Sequence, residues 1–207
     1  MSEVLYSTID SDSVFEFEEK RSRFIGYASS VSCEEEARAF IQKIKSKHYD
    51  ARHNCSAYIL RNGTMRYSDD GEPQGTAGIP MLEVLKKSGL VDVVVVVTRY
   101  FGGILLGAGG LVRAYSAACA GAIDNAKKAD YQKCNVFLLE SEYPLYDKLT
   151  RFLSDKGVKT TNTDFNDKIV IDALIPSDEF DDFSDALTDY FSGRIAIEFI
   201  EESIEKM

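Results

Sequence analysis

Five consecutive valines, Val93–Val97, constrain the fold of this chain more than any other feature of its sequence. Such a run is apolar on both faces of a strand, which is typical of a central strand that is covered on both sides. Five glycines follow within residues 102–110, and they free the backbone to approach a ligand or another segment closely. A helical pattern begins near Ala108. The sequence therefore predicts a buried strand, a glycine-rich loop and a helix in succession.

The pattern of apolar and turn residues predicts two domains, residues 1–129 and 130–207. In the first domain, short strands and two further helices surround the valine strand. In the second domain, the elements follow in the order β-α-β-β-α-β, which is that of the ferredoxin-like fold. The predicted class is therefore α+β. The strands expected in the second domain cover residues 136–139, 158–165, 168–175 and 195–200.

Charge is distributed unevenly between these two parts. Residues 1–129 contain 16 basic and 16 acidic side chains, whereas residues 130–207 contain 8 and 18. The net charge of −10 therefore lies in the last third of the chain. Because an acidic module repels phosphate backbones, we do not expect this third to bind nucleic acid by itself. Solubility is the simplest explanation of its charge.

Composition and spacing also argue against several classes of protein. The first ten residues are acidic, and they lack the apolar core segment that a secretory signal contains. The valine run is much shorter than the roughly 20 apolar residues of a membrane-spanning helix. We therefore expect a cytoplasmic protein without a membrane partner. The four cysteines are far apart and form no Cys-x-x-Cys pair, which argues against a structural zinc site. We expect no metal site and no cofactor.

The glycine-rich segment matches neither of two common phosphate motifs. Ala108 and Gly109 stand where a P-loop needs lysine and serine or threonine, and Val112 stands where a dinucleotide fingerprint needs its third glycine. A less specific anion site remains, made of main-chain amides at the helix start with Arg99 and Arg113 nearby. Alternatively, the glycines only permit tight packing of strand and helix. The spacing does not separate these two interpretations.

A second motif loop, residues 68–78, contains three carboxylates within four residues. Asp69, Asp70 and Glu72 could hold magnesium, with waters and a substrate phosphate completing its coordination. Side chains of this type equally cap the next helix by accepting hydrogen bonds from its amides. Nearby, His53 and Cys55 share one face of a predicted strand, as a base and a thiol nucleophile would. A polar strand face with a buried thiol is the simpler interpretation of that pair.

Arginines and tyrosines are interleaved along the N-terminal strands, a combination that suits single-stranded RNA. Neighbouring glutamates balance this charge, which favours a solvated sheet face instead. The residues concerned are Arg21, Arg23, Arg52, Arg61 and Arg66, with Tyr27, Tyr58 and Tyr67.

Three motifs in order, residues 51–58, 68–80 and 98–107, closely resemble the Impact/YigZ family, whose signature centres on Arg-Tyr-Phe-Gly-Gly at residues 99–103. The resemblance spans roughly residues 15–125. It implies that the first domain is an α/β sandwich like the second domain of ribosomal protein S-five. The second domain would then be similar to the ferredoxin-like last domain of elongation factor G. The eukaryotic members of this family regulate translation, whereas the bacterial members are thought to bind nucleic acid or ribosomes, and no enzymatic activity is established for the family.

Together these observations predict a non-catalytic cytosolic regulator that binds RNA, the ribosome or a translation component. An enzyme that acts on a phosphorylated small molecule or nucleotide with magnesium, and an adaptor that binds only protein, are the alternatives. The predicted anion- and RNA-binding residues are Arg52, His53, Arg99, Tyr100, Phe101, Gly102, Gly103, Gly107, Gly109, Gly110 and Arg113. The second motif loop contributes Asp69, Asp70, Gly71, Glu72, Gly75, Thr76 and Gly78.

Overall fold

A computed structural model describes residues 3–207; residues 1 and 2, which belong to the first predicted domain, lie outside the described part. The chain divides into two compact units. The N-terminal unit comprises residues 6–129. The C-terminal unit comprises residues 130–207 together with residues 3–5. Strands and helices are mixed in two five-stranded sheets, which confirms the predicted α+β class.

The N-terminal unit is an antiparallel sheet with helices on both faces. Its sheet has the order β2-β3-β6-β4-β5, so the valine strand β6 is central as predicted. A first strand, β1, runs over Val4–Ile9. The other elements, in chain order, are β2 (Ser13–Glu19), β3 (Ser22–Ser30), α1 (Glu34–Lys47), β4 (His53–Ile59), β5 (Met65–Ser68), α2 (Gly78–Ser88), β6 (Val93–Tyr100) and α3 (Ala108–Asp124).

The valine strand is buried on both faces, because successive side chains of a strand point to opposite sides. Val95 and Val97 pack into the core formed with α2 and α3. Val94 and Val96 lie in two smaller clusters on the α1 side of the sheet. This alternation continues to the end of the strand. It places Arg99 on the same side as Val97, and this choice of side determines the architecture of the candidate site.

The C-terminal unit has the predicted β-α-β-β-α-β order. Its strands lie side by side as β8-β9-β7-β10, all antiparallel, and β1 is a further neighbour of β7. One core lies between this sheet and the two helices, with aromatic side chains of β7, α4 and α5 in contact. The elements are β7 (Lys128–Ser141), α4 (Tyr146–Asp155), β8 (Lys159–Phe165), β9 (Ile169–Pro176), α5 (Phe180–Phe191) and β10 (Ala196–Lys206).

Two strands of this unit are longer than the sequence pattern predicts. β7 spans 14 residues rather than the four expected, and β10 continues to Lys206 rather than ending at Ile200. The added residues are mostly polar, and they are held by pairing between the two strands, from Ala196 opposite Glu140 to Lys206 opposite Tyr131. Because an apolar pattern marks only the buried part of a strand, it misses such an exposed extension. Within residues 3–207, no helix is both long and apolar enough to cross a membrane.

Candidate functional site

A cleft of about 450 Å³ in the N-terminal unit brings the two motif loops together. One wall comes from the second motif loop and the start of β4. The other comes from the end of β6, the glycine-rich loop (residues 101–107) and the first turns of α3. Its polar side chains are Arg52, His53, Glu72 and Arg99, and its apolar side chains include Phe101, Leu105, Leu106 and Leu111.

The floor of the cleft is a buried ion pair between Arg99 and Glu72. The Nη1 atom of Arg99 donates to Oε1 of Glu72 over 2.7 Å, and the two side chains are only 7% and 3% exposed. The Tyr115 hydroxyl on α3 donates to the same oxygen over 2.8 Å. Burial raises the pKa of that hydroxyl, so it stays protonated and remains a donor. Arg99 is therefore committed to the protein, rather than being an exposed side chain that is free to grip an anion.

Two polar atoms at this floor lack a protein partner. Arg99 Nε is buried, and it makes no hydrogen bond with any residue in the described part of the chain. Glu72 Oε2 likewise accepts no hydrogen bond from residues 3–207, since both donors go to Oε1. No other unpaired side-chain oxygen or nitrogen in that range is fully buried, so Oε2 keeps access to the cleft. A polar atom without a hydrogen-bond partner is uncommon in a buried site, and it indicates room for a ligand group or a water molecule.

His53 presents one ring nitrogen to the cleft. Its Nδ1 lies 2.8 Å from the main-chain oxygen of Asp70, and because a carbonyl only accepts, Nδ1 must carry the proton. The other nitrogen, Nε2, lies 3.9 Å from Glu72 Oε1, beyond hydrogen-bond distance.

The start of α3 supplies uncapped amides at the rim. Gly107 is the residue before the helix, with φ +73°, and no side chain caps it. The first-turn amides of a helix have no intrahelical partner and carry the positive end of its dipole. Gly107 and Ala108 line the cleft, and no acidic residue occupies the first turn of α3. This end of α3 is therefore suited to an anionic group.

The glycines of this segment serve packing as well as backbone freedom. A Cβ at Gly102 would lie 1.8 Å from the main-chain oxygen of Arg21, and one at Gly110 would lie 2.9 Å from Leu106 Cβ. Gly103 has φ +84°, in the left-handed region that favours glycine. Gly109 meets only the tip of the Arg113 side chain, at 3.6 Å. Tight packing thus explains Gly102 and Gly110, whereas it does not explain Gly109.

In the second motif loop, Asp69 caps helix α2. Its carboxylate accepts hydrogen bonds from the amides of Gly75, Ala77 and Gly78 over 2.8, 3.1 and 2.8 Å. Both oxygens of the carboxylate are engaged in this way. Thr76 closes the same turn, since its hydroxyl donates to the Pro73 carbonyl over 2.7 Å. The sequence left magnesium binding and helix capping open for Asp69, and its contacts are those of a helix cap.

Asp70 and Gly71 shape the loop around His53. One oxygen of Asp70 lies 2.6 Å from Lys45 Nζ, and the other accepts the Asn54 amide over 2.7 Å. Gly71 has φ +85°, and a Cβ there would lie 3.4 Å from His53 Nδ1. Within residues 3–207, no group of three histidine, cysteine or acidic side chains is placed to hold a metal ion.

Several predicted residues do not join the cleft. Tyr100 lies on the opposite face of β6, where its hydroxyl donates to Asp50 over 3.0 Å and lies 2.9 Å from His48 Nδ1. Arg113 lines a separate depression with residues 17, 19 and 20. Cys55 is fully buried, and burial raises the pKa of its thiol, which argues against a nucleophile. Cys119 and Cys134 are buried as well.

The arginines of the N-terminal strands are largely paired with acidic side chains. Arg23 contacts Glu16 at 2.6 Å and Arg61 contacts Asp92 at 3.4 Å. Tyr58, one of the interleaved tyrosines, is buried rather than available for stacking. This sheet face therefore matches the solvated, charge-balanced interpretation better than an RNA platform.

Sequence reasoning missed the roles of Tyr115 and Pro73. Tyr115 lies on the buried face of α3, and a buried phenol needs a hydrogen-bond partner. That requirement was a usable signal for a polar group on a facing segment. Pro73 lines the cleft next to Glu72, and nothing in its sequence context distinguishes it from an ordinary turn proline.

Comparison with known proteins places both units in known families. The Impact N-terminal domain model matches residues 20–123, and a domain of unknown function, DUF1949, matches residues 139–194. The IMPACT family member YvyE of Bacillus subtilis (strain 168) is 38% identical over 191 residues, which cover 91% of this chain and 88% of that protein. The chain belongs to the Impact family. The resemblance carried by the three sequence motifs is thereby confirmed.

Two further comparisons extend this finding. A solved structure, described as the crystal structure of a hypothetical protein, is 33% identical, with a TM-score of 0.60 over 96% of this chain and 98% of that one. The protein IMPACT homolog of Dictyostelium discoideum is 41% identical over 95 residues, which cover 43% of this chain and 27% of that protein.

Proposed function

We propose that this Impact family member is a non-catalytic, cytosolic regulator of translation that binds single-stranded RNA, including RNA in the ribosome, through the cleft. One observation carries the proposal: an uncapped helix N-terminus, an exposed arginine and an exposed aromatic ring lie on the same cleft as a buried arginine with an unpaired N–H. The regulatory part rests on the Impact relatives.

The phosphate of the RNA would bind between the start of α3 and Arg52. Arg52 is exposed, lines the cleft and makes no ion pair within residues 3–207. Helix amides and a mobile guanidinium are both common phosphate ligands. The Glu72 carboxylate does not oppose this binding, because Arg99 neutralises it at 2.7 Å.

The base would stack on Phe101. This side chain is 41% exposed although it is large and apolar, and Leu105 beside it is 82% exposed. Aromatic rings that remain open to solvent at a basic groove are the usual stacking platforms for unpaired bases. A volume of about 450 Å³ lies within the range of sites that enclose a small ligand or one nucleotide-sized group.

We favour binding over catalysis because the candidate catalytic groups already have structural partners. Asp69 caps α2, Asp70 is held by Lys45 and the Asn54 amide, and Glu72 is paired with Arg99. The magnesium-dependent enzyme needs these carboxylates as ligands. A thermal shift with magnesium and ATP that is lost in Asp70→Asn would favour that alternative instead.

The C-terminal unit is not assigned an RNA contact. Residues 130–207, which form most of this unit, hold a net charge of −10, which repels phosphate. We propose that it orients the N-terminal unit or contacts a basic protein.

Binding of a fluorescein-labelled single-stranded RNA decamer to the full chain, measured by fluorescence anisotropy between 50 and 300 mM NaCl, tests the proposal. Arg52→Ala should weaken binding and reduce the salt slope by about 0.7, the value for one phosphate contact on a single strand. Phe101→Leu keeps an apolar side chain but removes the stacking surface, so affinity should fall by roughly fivefold or more. Arg113→Ala, a matched loss of charge outside the cleft, should have little effect.

Two results would contradict the proposal. Equal effects of Arg52→Ala and Arg113→Ala would mean that binding is diffuse attraction to basic side chains. Absence of RNA binding, together with unchanged co-sedimentation of ribosomes with the cleft variants, would leave the protein-only adaptor as the better interpretation.

A further inference from the structure

Glu72 is a buried carboxylate with only half of its acceptor capacity used. Oε1 takes both the Arg99 guanidinium and the Tyr115 hydroxyl, whereas Oε2 accepts nothing from the described residues and keeps access to the cleft. The side chain is 3% exposed and is held from two sides, so it cannot swing out to solvent without breaking both contacts. A ligand that supplies a donor to this oxygen gains a charge-assisted hydrogen bond.

His53 lies at the same place. Its Nδ1 lies 2.8 Å from the Asp70 carbonyl oxygen, and its Nε2 lies 3.9 Å from Glu72 Oε1. The inner end of the cleft therefore presents the Glu72 carboxylate as an acceptor, while its rim presents the helix amides and Arg52 as donors. A ligand that fits this arrangement carries an anionic group at one end and an N–H donor at the other.

The aromatic ring connects these two ends. The Arg99 guanidinium lies 5.5 Å from the centroid of Phe101 and 2.7 Å from Glu72, so the ring and the carboxylate share one neighbour. Phe101 and Glu72 both line the cleft, so a base that enters it can contact the ring and present its hydrogen-bonding edge to Oε2. Cytosine and adenine carry an exocyclic amino group on that edge. Uracil offers a single N–H between two carbonyl oxygens, and these oxygens would face the carboxylate unfavourably.

We infer that the cleft selects cytosine and adenine, through their exocyclic amino groups, over uracil, with Glu72 as the residue that determines this specificity. This inference rests on the proposed RNA-binding function and adds to it the class of base. Carboxylate side chains make the same kind of contact with the cytosine amino group in other complexes.

The test compares fluorescein-labelled RNA octamers of cytidine, adenosine and uridine on the full chain by fluorescence anisotropy at one salt concentration. A fourth octamer carries 2-pyrimidinone, which is cytosine without its amino group. The cytidine and adenosine octamers should bind about tenfold more tightly than the uridine octamer, the low end of discrimination by a well-placed side chain. The 2-pyrimidinone octamer should bind as weakly as the uridine octamer.

The variant Glu72→Gln should bring the ratio of cytidine to uridine affinity close to one, because its amide group offers a donor as well as an acceptor. Circular dichroism checks that this variant is folded; if it is not, the 2-pyrimidinone comparison on the unmodified protein decides. Equal binding of all four octamers would overturn the inference and leave the proposed RNA binding intact. Failure of every octamer to bind would overturn the proposed function and the inference together.

Discussion

Replacing Arg99 by methionine should destabilise the N-terminal unit far more than it changes any surface property. Methionine keeps most of the aliphatic stem of arginine but removes the guanidinium that pairs with Glu72. The Glu72 carboxylate would stay 3% exposed with one hydrogen bond from Tyr115, and His53 Nε2 at 3.9 Å does not replace the lost partner. The variant therefore contains an uncompensated buried charge.

The size of the effect follows from this burial. Breaking a buried ion pair by removing one partner costs about 3–5 kcal/mol, compared with about 0–1 kcal/mol for an exposed pair. For a unit of this size, that corresponds to a melting temperature roughly 10–20 °C lower. Adding Glu72→Gln to Arg99→Met removes the unpaired negative charge of the Glu72 carboxylate and keeps an acceptor for the Tyr115 hydroxyl. The double variant should therefore return to within about 2 kcal/mol of the unmodified chain.

The chain contains no tryptophan, so urea unfolding is best followed by far-ultraviolet circular dichroism. Hydrogen exchange of the β6 amides then assigns the affected transition to the N-terminal unit, because central-strand amides exchange only on global opening. A loss of stability below about 1 kcal/mol for Arg99→Met would refute the reasoning, since it would match an exposed pair. Additive losses in the double variant would refute it equally, because they would show that the two side chains are not coupled.

Three further predictions concern other parts of the N-terminal unit. Asp69→Ala removes the cap of α2 and should lower the free energy of unfolding by about 1–2 kcal/mol in thermal melts, whereas a change below roughly 0.5 kcal/mol would mean that water replaces the cap. Gly102→Ala forces a Cβ to within 1.8 Å of the Arg21 carbonyl oxygen and should lower the melting temperature strongly. The matched control Gly109→Ala should leave the melting temperature unchanged or slightly raised. Equal effects of the two substitutions would contradict the assignment of Gly102 to tight packing. Burial lowers the pKa of His48 below 6.5, so its stabilising effect is complete above pH 6.5 and is lost as the pH falls toward the lowered value. Urea titrations should show a slope of up to about 1.4 kcal/mol per pH unit in that window, and His48→Gln, although less stable, should lack it.

The sequence predicted the elements of the site better than its contacts. Buried valines predict a central strand directly, because only a two-sided core tolerates them, and the glycines after them predict a loop. The sequence does not show that the two motif loops meet in space; the presence of both family motifs in this chain only suggests it. Their ends meet because β4 and β6 are neighbours in the sheet, with His53 opposite Arg99, and strand pairing of this kind depends on tertiary packing.

Arg99 illustrates what the pattern contained and what it did not. Alternation from Val95 and Val97 places its side chain on the core side of β6, so its burial could be derived from the strand pattern. Its partner could not, because Glu72 lies 27 residues earlier, in a loop without periodicity. Asp69 shows a different limit: helix caps and cation sites use the same residue types in the same kind of turn, so only the positions of the α2 amides separate them.

The burial of Cys55, Cys119 and Cys134 makes this chain a convenient scaffold for spectroscopic probes. Once the half-buried Cys33 is changed to serine, a maleimide dye has no readily reached sulfur left on the folded chain. A single cysteine introduced at position 105, whose native leucine is 82% exposed at the edge of the cleft, would then carry the dye alone. The emission of the dye would report in real time whether the cleft is occupied. Phe101 and the Arg99–Glu72 pair at the floor of the cleft would stay unaltered.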